Sequence, residues 1–438
     1  MAIGQLPIKK SFWKSPLYFP GVIWVCSRLL IWIPMLQIAP HLPVPDGGEV
    51  PNIGWEVFNG WDSGHYQHIA VNGYEYADDG REHNVAFFPL FPLMVRAMMS
   101  LGLSFDIAGT LINNGAFLIA LYCVYSFVKQ YCSRNQAEWT TAVLAFSPGS
   151  MFAGVIYTEG LYLALSTAAL RAFDNRKYGW STLWGAMATA TRPTGVAIIP
   201  AFIIAAWRQG KPPVAYISGF ASSTGLLLYS LYCQIQFHEP LAFIHAQKGW
   251  RSSIGFDGKA WGKMLMQIFT GNTNWEASGI GDFLHPFLLT LIMILGYLLW
   301  RFRCNLGSFK TNCGATVLIV LLWLIIGDPL INTVSIFGSL YLLWRLSSRK
   351  KYDSDVSKTG KSRMTPVTVA YGFCGIGLIL ASGGTMSLGR IAYGIVPTSI
   401  ALGIFLSHRP RLGYSMMFLF SIILICTSVR FAQGLWVG

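Results

Sequence analysis

Apolar residues run along this chain in long blocks separated by short polar stretches. The blocks fall at about 17–38, 105–128, 137–156, 157–174, 180–207, 214–235, 282–300, 313–346, 367–385, 390–407 and 412–430. A helix needs roughly 20 apolar residues to cross the hydrocarbon core of a bilayer, so each block predicts a span or most of one. The 180–207 block is interrupted by Arg192-Pro193, and a proline inside a helix removes a hydrogen bond and clashes with the preceding turn. Two half-helices are expected there. Gly327-Asp328-Pro329 divides the 313–346 block in the same way, into two spans joined by a hairpin. The pattern predicts an all-α fold: a polytopic helical bundle of about eleven to thirteen transmembrane helices, forming a single integral membrane domain over residues 1–438.

Composition supports lipid as the solvent. Only 12% of residues are charged, against roughly 25% in soluble domains. The net charge of +13 is gathered in short runs between the blocks: Lys9, Lys10 and Lys14; Arg171, Arg176 and Lys177; Arg301 and Arg303; Arg349 to Lys351. Cytoplasmic loops retain Lys and Arg, so these runs set topology, and no basic face with interleaved aromatics points to nucleic acid. The N-terminus and the loops near 129–136, 171–179, 208–213, 301–312, 347–366 and 408–411 are then inside. Segments 39–85 and 236–281 are outside, and parity asks that 86–103 be re-entrant unless another block counts differently. The block from Leu17 to Ile38 is too long for the apolar region of a cleaved signal, so it reads as an uncleaved first span. Eight cysteines include no CxxC pair, and most lie within apolar blocks as small hydrophobes.

The first outside segment carries the chemistry. Residues 39–85 hold Asp46, Glu49, Glu56, Asp62, Glu75, Asp78, Asp79 and Glu82, with Arg81 the only Lys or Arg. A loop of that length between hydrophobic segments is usually functional. Segment 236–281 is rich in Trp and Phe and is expected to lie along the membrane surface. Asp62, His65 and His68 recur at three-residue spacing, which would put them on one face of a short helix. A carboxylate and imidazoles together suit acid/base work or a metal. No third strong ligand stands at a diagnostic spacing, so no cofactor or metal is implied. Asp62 also suits the N-cap of the following segment. Asp353-Ser-Asp355, among lysines, reads as a solvated charge cluster, and no GxGxxG or P-loop occurs.

Several motifs carry a family likeness. Trp61 to Tyr74 reads W-D-x-x-H-Y-x-x-I-A-x-x-G-Y and is followed by His83-Asn84-Val85-Ala86-Phe87-Phe88-Pro89-Leu90-Phe91-Pro92. Ser147-Pro148, Tyr157-Thr158-Glu159-Gly160-Leu161 and Thr191-Arg192-Pro193-Thr194-Gly195 come next. Pro240-Leu241-Ala242-Phe243, Gln247, Trp250, Arg430-Phe431-Ala432 and Trp436-Val437 complete the series. In this order they closely resemble the PIG-V family, the second mannosyltransferase of GPI-anchor assembly, and its bacterial relatives. Thr158 and Gly160 depart from the family's Y-S-E-A-L segment, and His68 is not one of its hallmarks. Those departures bear on the acceptor.

The resemblance implies a GT-C glycosyltransferase whose catalytic base is an acidic residue of the first outside loop and whose donor is a dolichyl- or polyprenyl-phosphate sugar. Elementary chemistry agrees: transfer with inversion needs one carboxylate to take the acceptor's proton, and a phosphate leaving group needs positive charge rather than an acid. Asp62 is the expected base, with Glu159, Glu82 and Asp46 as rivals. Arg192 and Arg390 are the expected phosphate ligands, or else intramembrane ion-pair partners of Asp328 or Glu159. His65, His83, Gln247 and Lys248 are expected to touch sugar or phosphate. Glu159, Glu82 and Asn84 are assigned to the acceptor or to structure, and Trp250 to the membrane interface. The acceptor is a glycolipid or glycan, a GPI precursor being one case, and mannose is implied by the resemblance alone. Compact length and the Asp78-Asp79-Gly80 turn point to the bacterial cytoplasmic membrane, with the endoplasmic reticulum the corresponding place in a eukaryote. A secondary transporter or lipid flippase is the alternative, though two related halves are not evident. A non-catalytic scaffold is a third reading.

Overall fold

The computed structural model describes residues 18–251, 255–276, 281–348 and 364–437. The N-terminal lysines, the Arg349 to Lys351 run and Asp353-Ser-Asp355 lie outside the described residues. Within them the chain is helical, without a β-strand; Gly255 and Ser382 form one isolated bridge.

Helix α1 (Tyr18–Ile33) continues through a π turn, Pro34–Ile38, into Ala39–His41. Segment 39–85 then leads through a 3₁₀ turn, Trp55–Phe58, to α2 (Asp62–Val71), and a further turn, Asn84–Ala86, precedes α3 (Leu90–Met99). Ten residues of helix reach about 15 Å, half the hydrocarbon thickness. The central rod is α4 (Phe105–Tyr131), capped by the Ser104 hydroxyl, and α5 (Arg134–Phe146) starts on a Ser133/Gln136 capping box.

Prolines and glycines divide the next blocks. Pro148 ends α5 in a 3₁₀ turn before α6 (Glu159–Asp174). The expected break at Arg192-Pro193 separates α7 (Tyr178–Thr189) from α8 (Ile198–Arg208). Helices α9 (Pro213–Ala221) and α10 (Thr224–Phe237) run nearly end to end. Segment 236–281 holds α11 (Ala242–His245), α12 (Gly258–Thr270) and α13 (Asn272–Glu276). Helix α12 is amphipathic, burying Trp261 and Met264 and exposing Met266 and Phe269. A peripheral pair follows, α14 (Leu284–Arg301) and α15 (Arg303–Ile326), in which Ile292 and Ile326 are the buried residues among those described. Gly327, at φ +69°, makes the expected break before α16 (Asp328–Thr333) and α17 (Ser339–Ser348). The bundle closes with α18 (Pro366–Leu380), α19 (Leu388–Tyr393), α20 (Val396–Ser407) and α21 (Pro410–Ala432).

Six helical stretches among the described residues are long and apolar enough to cross a membrane: 18–41, 105–131, 213–237, 284–301, 309–326 and 410–432. The remaining apolar blocks are shorter helices or pairs of helices, because hydropathy reports composition and is blind to where a proline or glycine bends the backbone. The interior packs small residues between helices. A Cβ on Gly225 would fall 2.0 Å from the Ala186 carbonyl oxygen, and one on Gly403 would fall 2.4 Å from Cα of Thr140. Close backbone approach of this kind is how helices associate where lipid removes the hydrophobic drive.

Candidate active site

Contacts far apart in sequence hold segment 39–85 on the bundle. Ile156 donates its N–H to the Phe58 carbonyl, and Glu49 N–H donates to the Gln433 carbonyl beyond the end of α21. Gly60 lies on the ring of Phe431, where a Cβ would come within 3.2 Å. Trp61, at φ +56°, turns the chain into α2 and meets the Trp436 ring edge-on at 5.0 Å. Ser63 Oγ donates to the Ile156 carbonyl at 2.9 Å, pinning the first turn. Trp61 thus takes the N-cap position and Asp62 becomes the first helical residue. The Asp62 side chain turns into the bundle instead of capping the helix.

There it ends a chain of four alternating charges. Asp62 Oδ2 lies 2.7 Å from Arg390 Nη1. Arg390 Nε donates to Glu159 Oε1 at 2.6 Å, and Arg192 Nη1 meets the same oxygen at 2.5 Å. The other Glu159 oxygen accepts from Thr158 N–H at 3.1 Å, and Arg192 also reaches Thr158 Oγ1. The Arg390 guanidinium lies over the Tyr157 ring at 4.3 Å, while the Tyr157 hydroxyl accepts from Asp62 N–H. The Glu159 side chain is fully buried and that of Asp62 is 22% exposed. Buried charges persist when paired and hydrogen-bonded throughout, which describes Glu159: a hub with both oxygens engaged. Arg192 and Arg390 are therefore Glu159 partners, and neither pairs with Asp328 among the described residues.

Residues 50–208 match the family model described as Mannosyltransferase (PIG-V). That stretch contains Asp62, Glu159 and Arg192. Over that stretch the chain is similar to the PIG-V mannosyltransferases. GPI alpha-1,6-mannosyltransferase 2 of Cricetulus griseus is 26% identical over 257 residues, 49% of this chain and 50% of that protein. Its Homo sapiens counterpart is 25% identical over 232 residues, 44% of this chain and 46% of that protein. The chain thus spans about half the length of the curated relatives it matches. An oligosaccharyltransferase of Archaeoglobus fulgidus is similar at a TM-score of 0.44 and 13% identity, covering 93% of this chain and 53% of that one. The segments from Pro240 to Trp250 and from Arg430 to Val437 lie beyond the family match.

The other expected site residues divide into two groups. His65 stacks on Phe87 at 4.5 Å and meets the Trp250 ring edge-on at 5.7 Å. Burial pushes its imidazole below the usual value, against the opposing pull of Asp62 and Glu82. The backbone turn at Gly249 packs against Arg81 and Glu82, a Cβ there falling 2.6 Å from Glu82 N, so half-buried Gln247 and exposed Lys248 sit beside the first loop. The second group is engaged elsewhere or exposed. Asn84 is buried and ties Glu75 N–H, the Gly73 carbonyl and His68 Nδ1 together. His83 pairs with Asp79 at 2.7 Å, and Glu82 and Asp46 are exposed. Asp62, His65 and His68 stand at three-residue spacing on the short helix α2 and meet Arg390, Phe87 and Glu75 respectively. Three residues fall about 60° short of a helical turn, so each step swings the side chain toward a different neighbour. Among the described residues no three His, Cys, Asp or Glu side chains gather as a metal site.

Sequence reasoning quoted Tyr157 and Phe431 without assigning them a role, yet they support Arg390 and Gly60. Their presence in the family-like segments was the available signal, and their spatial meeting was not readable.

Proposed function

We propose that this PIG-V relative is a GT-C enzyme that transfers a mannosyl group, with inversion, from a polyprenyl- or dolichyl-phosphate donor to a glycolipid or glycan acceptor. The reaction is assigned to the non-cytoplasmic side of the membrane, the bacterial cytoplasmic membrane or, in a eukaryote, the endoplasmic reticulum. One observation carries the role of Asp62. Of the two carboxylates in the charge chain, Asp62 is the one open to an incoming group, whereas both Glu159 oxygens are engaged and buried.

The acceptor hydroxyl oxygen attacks the anomeric carbon of the donor and its proton passes to the Asp62 carboxylate. The bond between that carbon and the phosphate oxygen breaks, and its electron pair leaves with the lipid phosphate. Arg390, already beside Asp62, offsets the charge gathering on that phosphate, and Arg192 lies behind it on the shared Glu159. The Phe87 and Trp250 rings and His65, one turn along α2, supply an aromatic wall for the sugar.

Membranes containing Asp62→Asn, incubated with radiolabelled polyprenyl-phosphate mannose and a native lipid extract, should lose product by about 10²-fold or more at unchanged expression. Full activity in that variant removes Asp62 from the role. Ion-coupled uptake without a sugar product would favour a transporter instead.

A further inference from the structure

A groove of about 830 Å³ runs along the outside of the bundle between α3, α4, α6 and α7, away from the charge chain. Its floor is made of small residues on facing helices, Gly115 and Ala116 of α4 with Ala164 and Ala168 of α6. Leu111 and Ile119 on its rim are 47% and 58% exposed, so the groove faces the lipid. At one end stand Arg171 and Lys177, and no acidic side chain lines the groove among the described residues.

Arg171 is half-buried and makes no ion pair or side-chain hydrogen bond within the described residues. Asp174, one turn further along α6, faces Tyr131 and Lys211 instead. A guanidinium at the edge of an apolar groove between membrane helices requires a counter-anion, and basic pockets between such helices take lipid head groups. Arg171 lies twelve residues along α6 from Glu159, about 18 Å at the helical rise, so this end cannot share a phosphate with Asp62 and Arg390.

We propose that the groove holds an acyl chain of an anionic phospholipid, with its phosphate on Arg171 and Lys177 beside it. Arginine presents a planar fork matched to phosphate oxygens, and the small-residue floor leaves room for the chain.

The test uses the full chain purified in detergent, with native mass spectrometry counting bound phosphatidylglycerol against phosphatidylcholine. Phosphatidylglycerol should bind with a preference of about tenfold or more, and Arg171→Gln should weaken it about tenfold, equivalent to 1.4 kcal/mol. Gly115→Leu is a second variant: a Cβ there meets nothing within 4 Å, so the added side chain fills the groove without disturbing its neighbours. It should abolish binding of the lipid while Arg171 remains in place. Equal binding of the two lipids, phosphatidylglycerol binding unchanged in either folded variant, or full competition by inorganic phosphate would each overturn the proposal.

Discussion

Arg390 donates from Nε to a carboxylate oxygen of Glu159, 231 positions earlier in the chain, at 2.6 Å. Its Nη1 meets Asp62 at the same time, so one guanidinium joins the buried hub to the exposed end of the site.

Arg390→Ala should therefore be among the most damaging single changes. It strips a partner from Asp62 and one of two from Glu159, and breaking a buried pair costs about 3–5 kcal/mol. A fall in melting temperature in detergent, together with loss of transfer, is the expected reading. Arg390→Lys keeps the charge but not the fork that spans both carboxylates. It should keep more stability than the alanine variant and still lose most activity. A lysine variant as active as the parent would show that bridging is unimportant.

Asp62→Asn and Glu159→Gln should part company. Losing the Glu159 charge leaves Arg192 and Arg390 facing each other in a buried site, so Glu159→Gln is expected to lower the melting temperature strongly. The Asp62 side chain retains 22% exposure, so the asparagine variant should melt close to the parent while losing product. Equal melting losses in the two variants would contradict the division into hub and reactive end.

Gly160 stands where the Y-S-E-A-L segment of the resembling family has alanine. Here a Cβ would fall 2.2 Å from the Asn113 carbonyl oxygen, against the backbone of α4. Gly160→Ala should destabilise by about 1–3 kcal/mol through overpacking, read as a lowered melting temperature. An unchanged melt would show that α4 and α6 can separate at no cost.

His65 supplies a pH test. Burial lowers its imidazole below the ordinary value of about 6.5. Above that pH the ring is neutral in folded and unfolded chains alike. As pH falls through it, the unfolded chain takes up a proton that the folded chain resists, so stability should decline on acidification. Melting temperatures from pH 7.5 down to 5 should fall more steeply for the parent than for His65→Gln, and parallel slopes would exclude His65 as a source.

Much of the candidate site was visible as residue identity. Trp61-Asp62 at the start of a short helix, the break at Arg192-Pro193 and the acid at Glu159 all stand where the pattern puts them. The roles were less visible. Whether Glu159 binds an acceptor or serves as a hub depended on its exposure, and exposure belongs to packing. The setting of His68 also belongs to packing: its ring is held by Asn84 and Glu75.

Local order along the chain determined the helical class, the membrane as solvent, the break points at prolines and glycines and the loop that bears Asp62. These follow from hydropathy and backbone stereochemistry, which act between near neighbours. Tertiary structure alone decided which charges meet, because a Coulomb interaction is set by separation and surroundings rather than by position in the chain. Folding brings α19 to α6 and α2, so Arg390 pairs with Glu159 and Asp62, and lays Phe431 and Trp436 beneath the Gly60-Trp61 turn.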